Sequence, residues 1–177
     1  MVNPDGYLYT QTDNRLWRKT RKPNGNGCFG TDANRNFGFH WGTGGSSSDP
    51  CSDTYMGSEP FSEIETANMR DWLTANKDMI KFYNNVHSYS QLILLPWGWG
   101  YDEPENNDDL YRVATLANDA LFAVHQKYYE VSMKNDDCSQ DILVRLDVFL
   151  VSCMLLAEDH WTGLSESWEY LTVTGWS

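Results

Sequence analysis

The feature that most constrains the fold is an alternation of helix-like and strand-like patterns between residues 62 and 129. The segment SEIETANMRDWLTANKD has early acidic residues and spaced apolar residues, which predict an amphipathic helix that begins at a capping Ser62. The runs MIKFYNNV and SQLILLPW predict strands, and DDLYRVATLANDALFAVHQKYY predicts a second amphipathic helix whose early acidic residues suit its dipole. Helices that alternate with strands indicate an α/β layer fold.

The regions on either side of this alternation give different signals. NPDG is a turn signal, and the alternating run YLYTQT behind it predicts a strand or an extended entry. Residues 23–57 are rich in Gly, Ser, Asn, Asp and Pro, which predicts a long irregular loop, and loops of that length are usually functional. Residues 130–177 fit the alternating pattern poorly, so their structure stays open.

The charge of the chain limits its partners. The net charge is −12 and the isoelectric point is about 4.5. Such a surface repels phosphate backbones and anionic lipid, so we expect no nucleic acid and no membrane surface as a partner. No run approaches the ~20 apolar residues of a membrane span. The most apolar run, LVRLDVFLVSCMLLA, contains Arg145 and Asp147 and predicts a buried strand or helix.

The four cysteines show no zinc-finger spacing. Cys28 and Cys51 both lie in the loop, where a disulfide would be most useful and would stabilise the fold by about 3 kcal/mol. A disulfide there favours an oxidising compartment.

Met1 leads directly into VNPDGYLYT, which lacks the basic and apolar regions of a signal peptide. We therefore expect either a cytosolic protein or a sequence without its true N-terminus.

Cationic residues are concentrated in one short segment of this acidic chain. Five of the 13 Lys and Arg residues lie within eight positions, namely Arg15, Arg18, Lys19, Arg21 and Lys22. One interpretation is a solvated basic patch. The other is an anion site for a carboxylate or a developing oxyanion, because guanidinium groups match carboxylates in geometry.

Two further stretches hold candidate site residues. Asn34 and Arg35 offer an amide and a guanidinium, which suit a terminal carboxylate, although Asp32, Asn34 and Asn36 could instead bond to a local turn. His87 follows the predicted strand FYNNV, and binding sites in open α/β sheets lie at the carboxyl ends of strands. Its imidazole can ligate zinc, or it can be an ordinary structural histidine.

Five motifs occur in a fixed order: NPDGY, NRLWRKTR, DANRNFGFHWG, SSSDPCSDTYMGSEPFSEIET and HSYSQLILLPWGW. Together they closely resemble the zinc metallocarboxypeptidases of the pancreatic carboxypeptidase A/B type, over roughly Val2 to Tyr128. The resemblance implies an α/β fold with part of a mixed, mostly parallel twisted sheet flanked by helices. It also implies a secreted, extracellular enzyme that removes a C-terminal amino acid from peptides with a zinc-activated water.

The resemblance implies a role for each matching residue. His87 matches a zinc ligand, and Arg18 matches the arginine that polarises the scissile carbonyl and stabilises the oxyanion. Asn34 and Arg35 match the pair that holds the terminal carboxylate of the substrate. The other matches are Arg15 in the substrate groove, Ser88 and Tyr89 in subsites beside the zinc, Asp32 as the carboxylate that orients a zinc-binding histidine, and Cys28 with Cys51 as the family disulfide.

The chain departs from the family pattern at both ends. The other two zinc ligands form a His-x-x-Glu motif upstream of NPDGY in the family, so only one ligand is recognisable here and N-terminal strands are expected to be missing. Behind the second helix, the catalytic glutamate has no convincing counterpart: Glu158 only faintly matches the expected strand, and an exposed acid at a strand end is the favoured interpretation of it. Cys138 and Cys153 have no family role.

We predict a partial catalytic domain at 1–129, a divergent segment at 130–177, and weak zinc binding with no activity for this chain alone.

Other functions remain alternatives. A non-catalytic relative could bind peptide C-termini through Asn34 and Arg35 without cleaving them. Trp97, Trp99 and Tyr101 suggest a carbohydrate-binding module, which leaves the placement of arginine and asparagine unexplained. The expected partners are peptide or protein C-termini. The sequence leaves open both the oligomeric state and the choice between aromatic or aliphatic and basic C-terminal residues.

Overall fold

The computed structural model describes residues 2–88, 91–97 and 102–132, and the backbone of residues 149–155. These residues belong to two compact units. The first unit contains residues 2–77, and the second contains the described residues that follow them.

Helix α1 of the first unit spans Pro4–Thr12. Asn3 caps it, because the Asn3 Oδ1 accepts a hydrogen bond from the Gly6 N–H at 2.9 Å and Pro4 begins the helix. The buried Asn3 amide also donates to the Lys19 carbonyl at 3.0 Å, which ties the helix to the segment that follows it. The strand predicted for YLYTQT is therefore wrong, since the Asn-Pro start outweighs the short alternation.

Residues 23–57 form a long loop, as the sequence predicts, and its one helical segment is a 3-10 turn at Ala33–Arg35. Two isolated β-bridges fold the loop back on itself. A disulfide joins Cys28 to Cys51, whose Cα atoms lie 5.1 Å apart. The predicted pairing of these two cysteines is confirmed, and it closes most of the loop.

Helix α2 spans Ile64–Asn76, where the sequence predicts a helix. Its N-cap residue is Glu63 instead of Ser62, whose hydroxyl donates to the Glu63 Oε1 at 3.2 Å. Leu73 is buried on this helix, whereas Trp72 is 59% exposed. The helix is followed by a 3-10 turn at Lys77–Met79.

Buried polar side chains join α2 to the end of the loop. Asn36 is fully buried, and its Nδ2 donates to the carbonyl oxygens of Met56 at 2.8 Å and Glu59 at 3.0 Å. Its Oδ1 accepts from the Thr66 hydroxyl at 2.7 Å and from the Glu63 N–H at 3.2 Å. Buried polar groups are costly when unpaired, so this one amide holds the loop against the start of the helix.

The second unit contains a four-stranded sheet in the order β1-β4-β2-β3. Its strands are β1 (Phe82–Ser88), β2 (Leu92–Leu94), β3 (Glu130–Ser132) and β4 (Phe149–Leu155). β4 is antiparallel to β1, but the β2–β4 and β2–β3 pairings are parallel. The predicted mixed, mostly parallel sheet is confirmed, and so are the strands predicted at MIKFYNNV and SQLILLPW. The region from residue 130 contributes β3 and β4, and the predicted boundary at 129/130 stays a prediction.

Helix α3 spans Asn107–His125 and packs against this sheet, which confirms the second predicted amphipathic helix. The apolar core of the unit consists of Ile93, Leu95, Leu110, Ala114 and Tyr129. Residues from the helix, from the β2 region and from the chain leading into β3 therefore share one core, which fixes the strand ends relative to the helix.

Candidate functional site

The cationic segment 15–22 does not act as one group. Lys19 is buried and donates its Nζ to the Pro50 carbonyl at 2.9 Å. Burial lowers the pKa of the Lys19 ammonium, and nearby carboxylates, Asp53 first among them, oppose that shift. Lys22 forms an ion pair with the buried Glu63 at 3.2 Å. Both lysines thus stabilise the fold, and neither a solvated patch nor a shared anion site describes the segment as a whole.

Arg21 is held by aromatic rings. Its guanidinium carbon lies 3.6 Å from the ring centre of Tyr9, 4.4 Å from that of Trp17 and 4.8 Å from that of Phe29. Cation–π contacts with several rings stabilise the charge away from bulk water. Arg21 therefore connects α1, the cationic segment and the loop, a role that the sequence pattern does not reveal.

Arg18 and Asp32 form the ion pair at the centre of the candidate site in the first unit. The Nε and Nη2 atoms of Arg18 each lie 2.8 Å from the Asp32 Oδ2. The Asp32 carboxylate is 2% exposed and the Arg18 side chain is 38% exposed. A buried anion therefore orients a cation that still reaches solvent. Asp32 also accepts the Asn34 N–H on Oδ1 at 3.0 Å, and its carbonyl accepts the Arg35 N–H at 2.9 Å. One aspartate thus brings together three predicted site residues.

Asn34 and Arg35 lie on the 3-10 turn that Asp32 caps. Arg35 donates its Nε–H to the Gly45 carbonyl and an Nη1–H to the Asn34 carbonyl, both at 3.0 Å. Its Nη2 makes no hydrogen bond to the described residues, and neither does the buried Asn34 Oδ1. Asp32 does bond to the local turn, as the alternative interpretation expects, but the Asn34 side chain does not. The Asn34 Nδ2 likewise makes no hydrogen bond to the described residues, and this amide N–H together with the Arg35 Nη2 can donate to a carboxylate.

The remaining predicted residues are less closely connected. Arg15 is exposed and makes no hydrogen bond or ion pair with the described part of the chain. In the second unit, His87 and Ser88 occupy the last two positions of β1, so the predicted strand-end position of His87 is confirmed. The imidazole is partly buried, and the His87 backbone pairs with Leu150. Residues outside the described ranges include Tyr89, Trp99, Tyr101, Cys138 and Glu158.

Metal-ligating side chains do not gather in the described part of the chain. Within residues 2–88, 91–97 and 102–132, no three His, Cys, Asp or Glu side chains form a group that could hold a metal ion. Zinc sites in enzymes use about three protein ligands, so one imidazole does not hold the ion against water. The described residues do not fit a complete zinc site by themselves, and His87 is a single candidate ligand.

Sequence reasoning also misses Gly45, whose carbonyl accepts the Arg35 Nε–H. The Gly-Gly pair in GTGGSSS marks a turn, and Gly45 has a φ of +77°, a conformation that favours glycine. The turn could be predicted from that signal. The contact could not, because it joins residues ten positions apart in an irregular loop.

Comparison with known proteins decides the family. The sequence profile of the zinc carboxypeptidases matches residues 1–171 of the chain. The chain belongs to the zinc carboxypeptidase family. The predicted resemblance is therefore confirmed, and the match extends beyond the residues on which the prediction rests. Zinc is the metal that the name of the family specifies.

Individual relatives agree with this assignment. Carboxypeptidase B of Astacus astacus is 54% identical over 132 residues, which are 73% of this chain and 44% of that protein. Zinc carboxypeptidase A 1 of Drosophila melanogaster is 48% identical over 127 residues, 72% of this chain and 29% of that protein. This member of the family thus spans less than half the length of either relative. Because the relatives are named as carboxypeptidases, the alternative of a non-catalytic binding protein is not favoured.

Solved structures give the same fold. Thrombin activatable fibrinolysis inhibitor is 37% identical with a TM-score of 0.69, and the match covers 77% of this chain and 35% of that one. Carboxypeptidase A from Helicoverpa armigera is 36% identical with a TM-score of 0.64, over 75% and 33% of the two chains. These TM-scores confirm the predicted α/β carboxypeptidase fold.

Proposed function

We propose that this carboxypeptidase-family chain supplies part of the catalytic domain of a zinc-dependent exopeptidase, which removes the C-terminal amino acid from peptides. The observation that carries the proposal is the donor set on the 3-10 turn. The Arg35 Nη2 and the Asn34 side chain make no hydrogen bonds to the described residues, so their N–H groups can take part in binding. These donors bind the terminal carboxylate of the substrate.

Binding of the free carboxylate explains why cleavage would occur at a chain end. A guanidinium and an amide donate to both carboxylate oxygens, whereas a peptide bond in the middle of a chain offers one neutral carbonyl. Hydrogen bonds to charged groups contribute roughly 1.5–3 kcal/mol each, so an internal segment binds more weakly than a free terminus. The pair therefore selects the last residue of a peptide.

Arg18 acts on the scissile carbonyl in this proposal. Its Nε and Nη2 are bonded to Asp32, so the guanidinium is oriented, while its Nη1 protons make no hydrogen bond to the part of the chain that the structure describes. A fixed positive charge near the carbonyl oxygen stabilises the negative charge that develops there in the transition state. Arg15 contacts the peptide in the groove, and Ser88 and Tyr89 contact it near the metal.

His87 is the zinc ligand that this chain contributes in the proposal. Zinc, when bound, acts as a Lewis acid and makes bound water more acidic. Asp32, beyond its contact with Arg18, is proposed to orient a zinc-binding histidine. These two assignments follow the family resemblance, and the position of His87 at the end of a strand supports the first.

The proposed partners are peptide and protein C-termini in an extracellular setting. The Cys28–Cys51 disulfide supports an oxidising compartment, where such bonds persist. A net charge of −12 disfavours nucleic acid as a partner. No helix in the described part of the chain has the length and apolar character needed to cross a membrane.

A chimera tests the function directly. The matching 132-residue segment of Astacus astacus carboxypeptidase B is replaced by that of this chain, so that the host provides the rest of the enzyme. We expect the chimera to release single amino acids from peptides with a free C-terminus, but not from the same peptides after amidation. Mass spectrometry of the products measures this. Chelation of zinc should stop the reaction.

Variants of the chimera assign the roles. Arg35→Ala should raise KM for peptides with a free C-terminus, and His87→Ala should lower the bound zinc measured by atomic absorption. Arg112→Ala is the control, because Arg112 is exposed and pairs with Asp109 on α3. A chimera that binds zinc and folds but cleaves neither peptide, or that cleaves both equally, would contradict the proposal.

A further inference from the structure

Two backbone carbonyls hold the guanidinium of Arg35 in place. The Nε–H bonds to Gly45 and one Nη1–H bonds to Asn34, both at 3.0 Å. A guanidinium has five N–H donors, so three remain without a partner among the described residues, one on Nη1 and two on Nη2. The edge formed by Nε and Nη2 is no longer available as a pair, whereas Nη1 and Nη2 each keep at least one N–H that is not bonded to the described residues.

The turn that presents the Gly45 carbonyl is itself anchored. The Ser46 hydroxyl donates to the Thr43 carbonyl at 2.7 Å. One residue later, the Ser47 N–H donates to the Thr54 carbonyl at 2.9 Å, and the Ser47 carbonyl accepts the Met56 N–H at 3.0 Å. The position of the Gly45 carbonyl is therefore set by bonds on both sides of it along the chain, and not by Arg35 alone.

Glycine is needed at position 45 for conformational reasons. Its φ is +77°, which side chains with a Cβ rarely adopt. A Cβ at this position would lie 3.8 Å from the Arg35 Nη2, an ordinary contact distance, so alanine would strain the backbone without colliding with the guanidinium. Relief of that strain would turn the carbonyl away from Arg35.

We propose that the Gly42–Ser47 turn is a positioning element for substrate binding, and that the Gly45 carbonyl orients Arg35 so that it meets a carboxylate through Nη1 and Nη2. This inference rests on the proposed function, because it assumes that Arg35 binds a terminal carboxylate. Gly45 touches no substrate and acts only through Arg35. The turn would thus determine how strongly a free chain end is preferred over an amidated one.

Hydrogen exchange of the arginine side chains measures the contact without any ligand. In the 177-residue chain, the Arg35 Nε–H should exchange with solvent at least about tenfold more slowly than the Arg15 Nε–H, which makes no bond in the described residues. Arg35 exchange as fast as that of Arg15 would overturn the inference, and this comparison needs no variant that might fail to fold.

Three glycine variants then test the effect on recognition. Gly45→Ala should reduce the ratio of affinities for an N-acetylated dipeptide and its amide by roughly threefold or more, because one carboxylate contact is misaligned. Gly27→Ala controls for strain, since Gly27 has a φ of +79° and an added Cβ would meet no atom within 4 Å. Gly44→Ala controls for position, because the site is open and unstrained. Neither control should change the ratio.

The outcomes distinguish the positioning role of the Gly42–Ser47 turn from the proposed binding of a terminal carboxylate. If the wild-type chain binds acid and amide equally, the terminal-carboxylate function and the inference are both wrong. If Arg35→Ala removes the preference but Gly45→Ala keeps it, the function stands and the inference is wrong. Loss of preference in Gly45→Ala, together with faster exchange of the Arg35 Nε–H and unchanged controls, supports the inference.

Discussion

At the scale of single residues, Tyr83 on β1 shows how burial sets a titration. Burial of its ring raises the pKa of the Tyr83 hydroxyl from 10.0 to about 12. The unfolded chain loses this proton near pH 10, while the folded chain keeps it until about pH 12. Between these values the folded state binds more protons than the unfolded state, so the free energy of unfolding falls as pH rises.

Replacement of this hydroxyl should remove that alkaline loss. From pH 8 to pH 11 the wild-type chain should lose about 1.4 kcal/mol of stability through Tyr83, and Tyr83→Phe should not show this component. Urea unfolding at the two pH values measures it. Tyr111→Phe is the control, because Tyr111 is 51% exposed and the variant keeps Tyr83. Equal alkaline losses in Tyr83→Phe and the wild-type chain would contradict the interpretation.

At the scale of elements, Asn118 joins α3 to the strand that follows it. Its buried amide donates to the Tyr129 carbonyl at 2.7 Å and accepts the Tyr129 N–H at 2.8 Å. Tyr129 belongs to the apolar core and directly precedes β3. The Asn118 amide therefore satisfies both backbone groups of Tyr129, as a neighbouring strand would, and holds the start of β3 against α3.

Removal of the Asn118 amide should destabilise the second unit strongly. Asn118→Ala leaves a buried N–H and a buried carbonyl of Tyr129 without partners, which should cost roughly 2–4 kcal/mol. The neighbouring variant Asp119→Ala is the control, because Asp119 is exposed, and it should change stability by about 0.5 kcal/mol or less. Chemical unfolding followed by circular dichroism compares the two. A similar small effect for both variants would show that the amide bonds are not important.

The elements that could be predicted are those with long periodic patterns. α2 and α3 follow from apolar spacing over many residues, which local physics largely decides. The sequence pattern predicted a strand instead of α1 for two reasons. The six-residue alternation is too short to be decisive, and the Asn3-Pro4 cap that begins the helix has the same composition as a turn. The pairing of β1 with β4 could not be predicted, since it joins segments more than 60 residues apart.

The candidate site was predictable as a set of residues but not as an arrangement. The motifs identify Arg18, Asp32, Asn34 and Arg35 without any geometry. The contacts of the cationic segment depend on Asp32 and on more distant residues of the folded chain, so the sequence could not separate a structural cation from a free one. Burial of the partner decides this difference, and burial is a property of the whole unit.

At the scale of the whole molecule, an acidic protein is proposed to bind an anionic chain end. With a net charge of −12, long-range attraction does not favour such a ligand, so recognition depends on local donors. Several of the cations near the site are already paired or stacked, which leaves recognition to groups such as Arg35. The preference for a free terminus should thus depend strongly on this one side chain.

The most direct test is calorimetric titration of the 177-residue chain with an N-acetylated dipeptide and with its C-terminal amide, in the wild type and in Arg35→Ala. We expect the wild-type chain to bind the acid roughly tenfold or more tightly than the amide, and Arg35→Ala to bind both about equally. Equal binding of the two ligands by the wild-type chain, or a preference that survives in Arg35→Ala, would contradict the proposed role of Arg35.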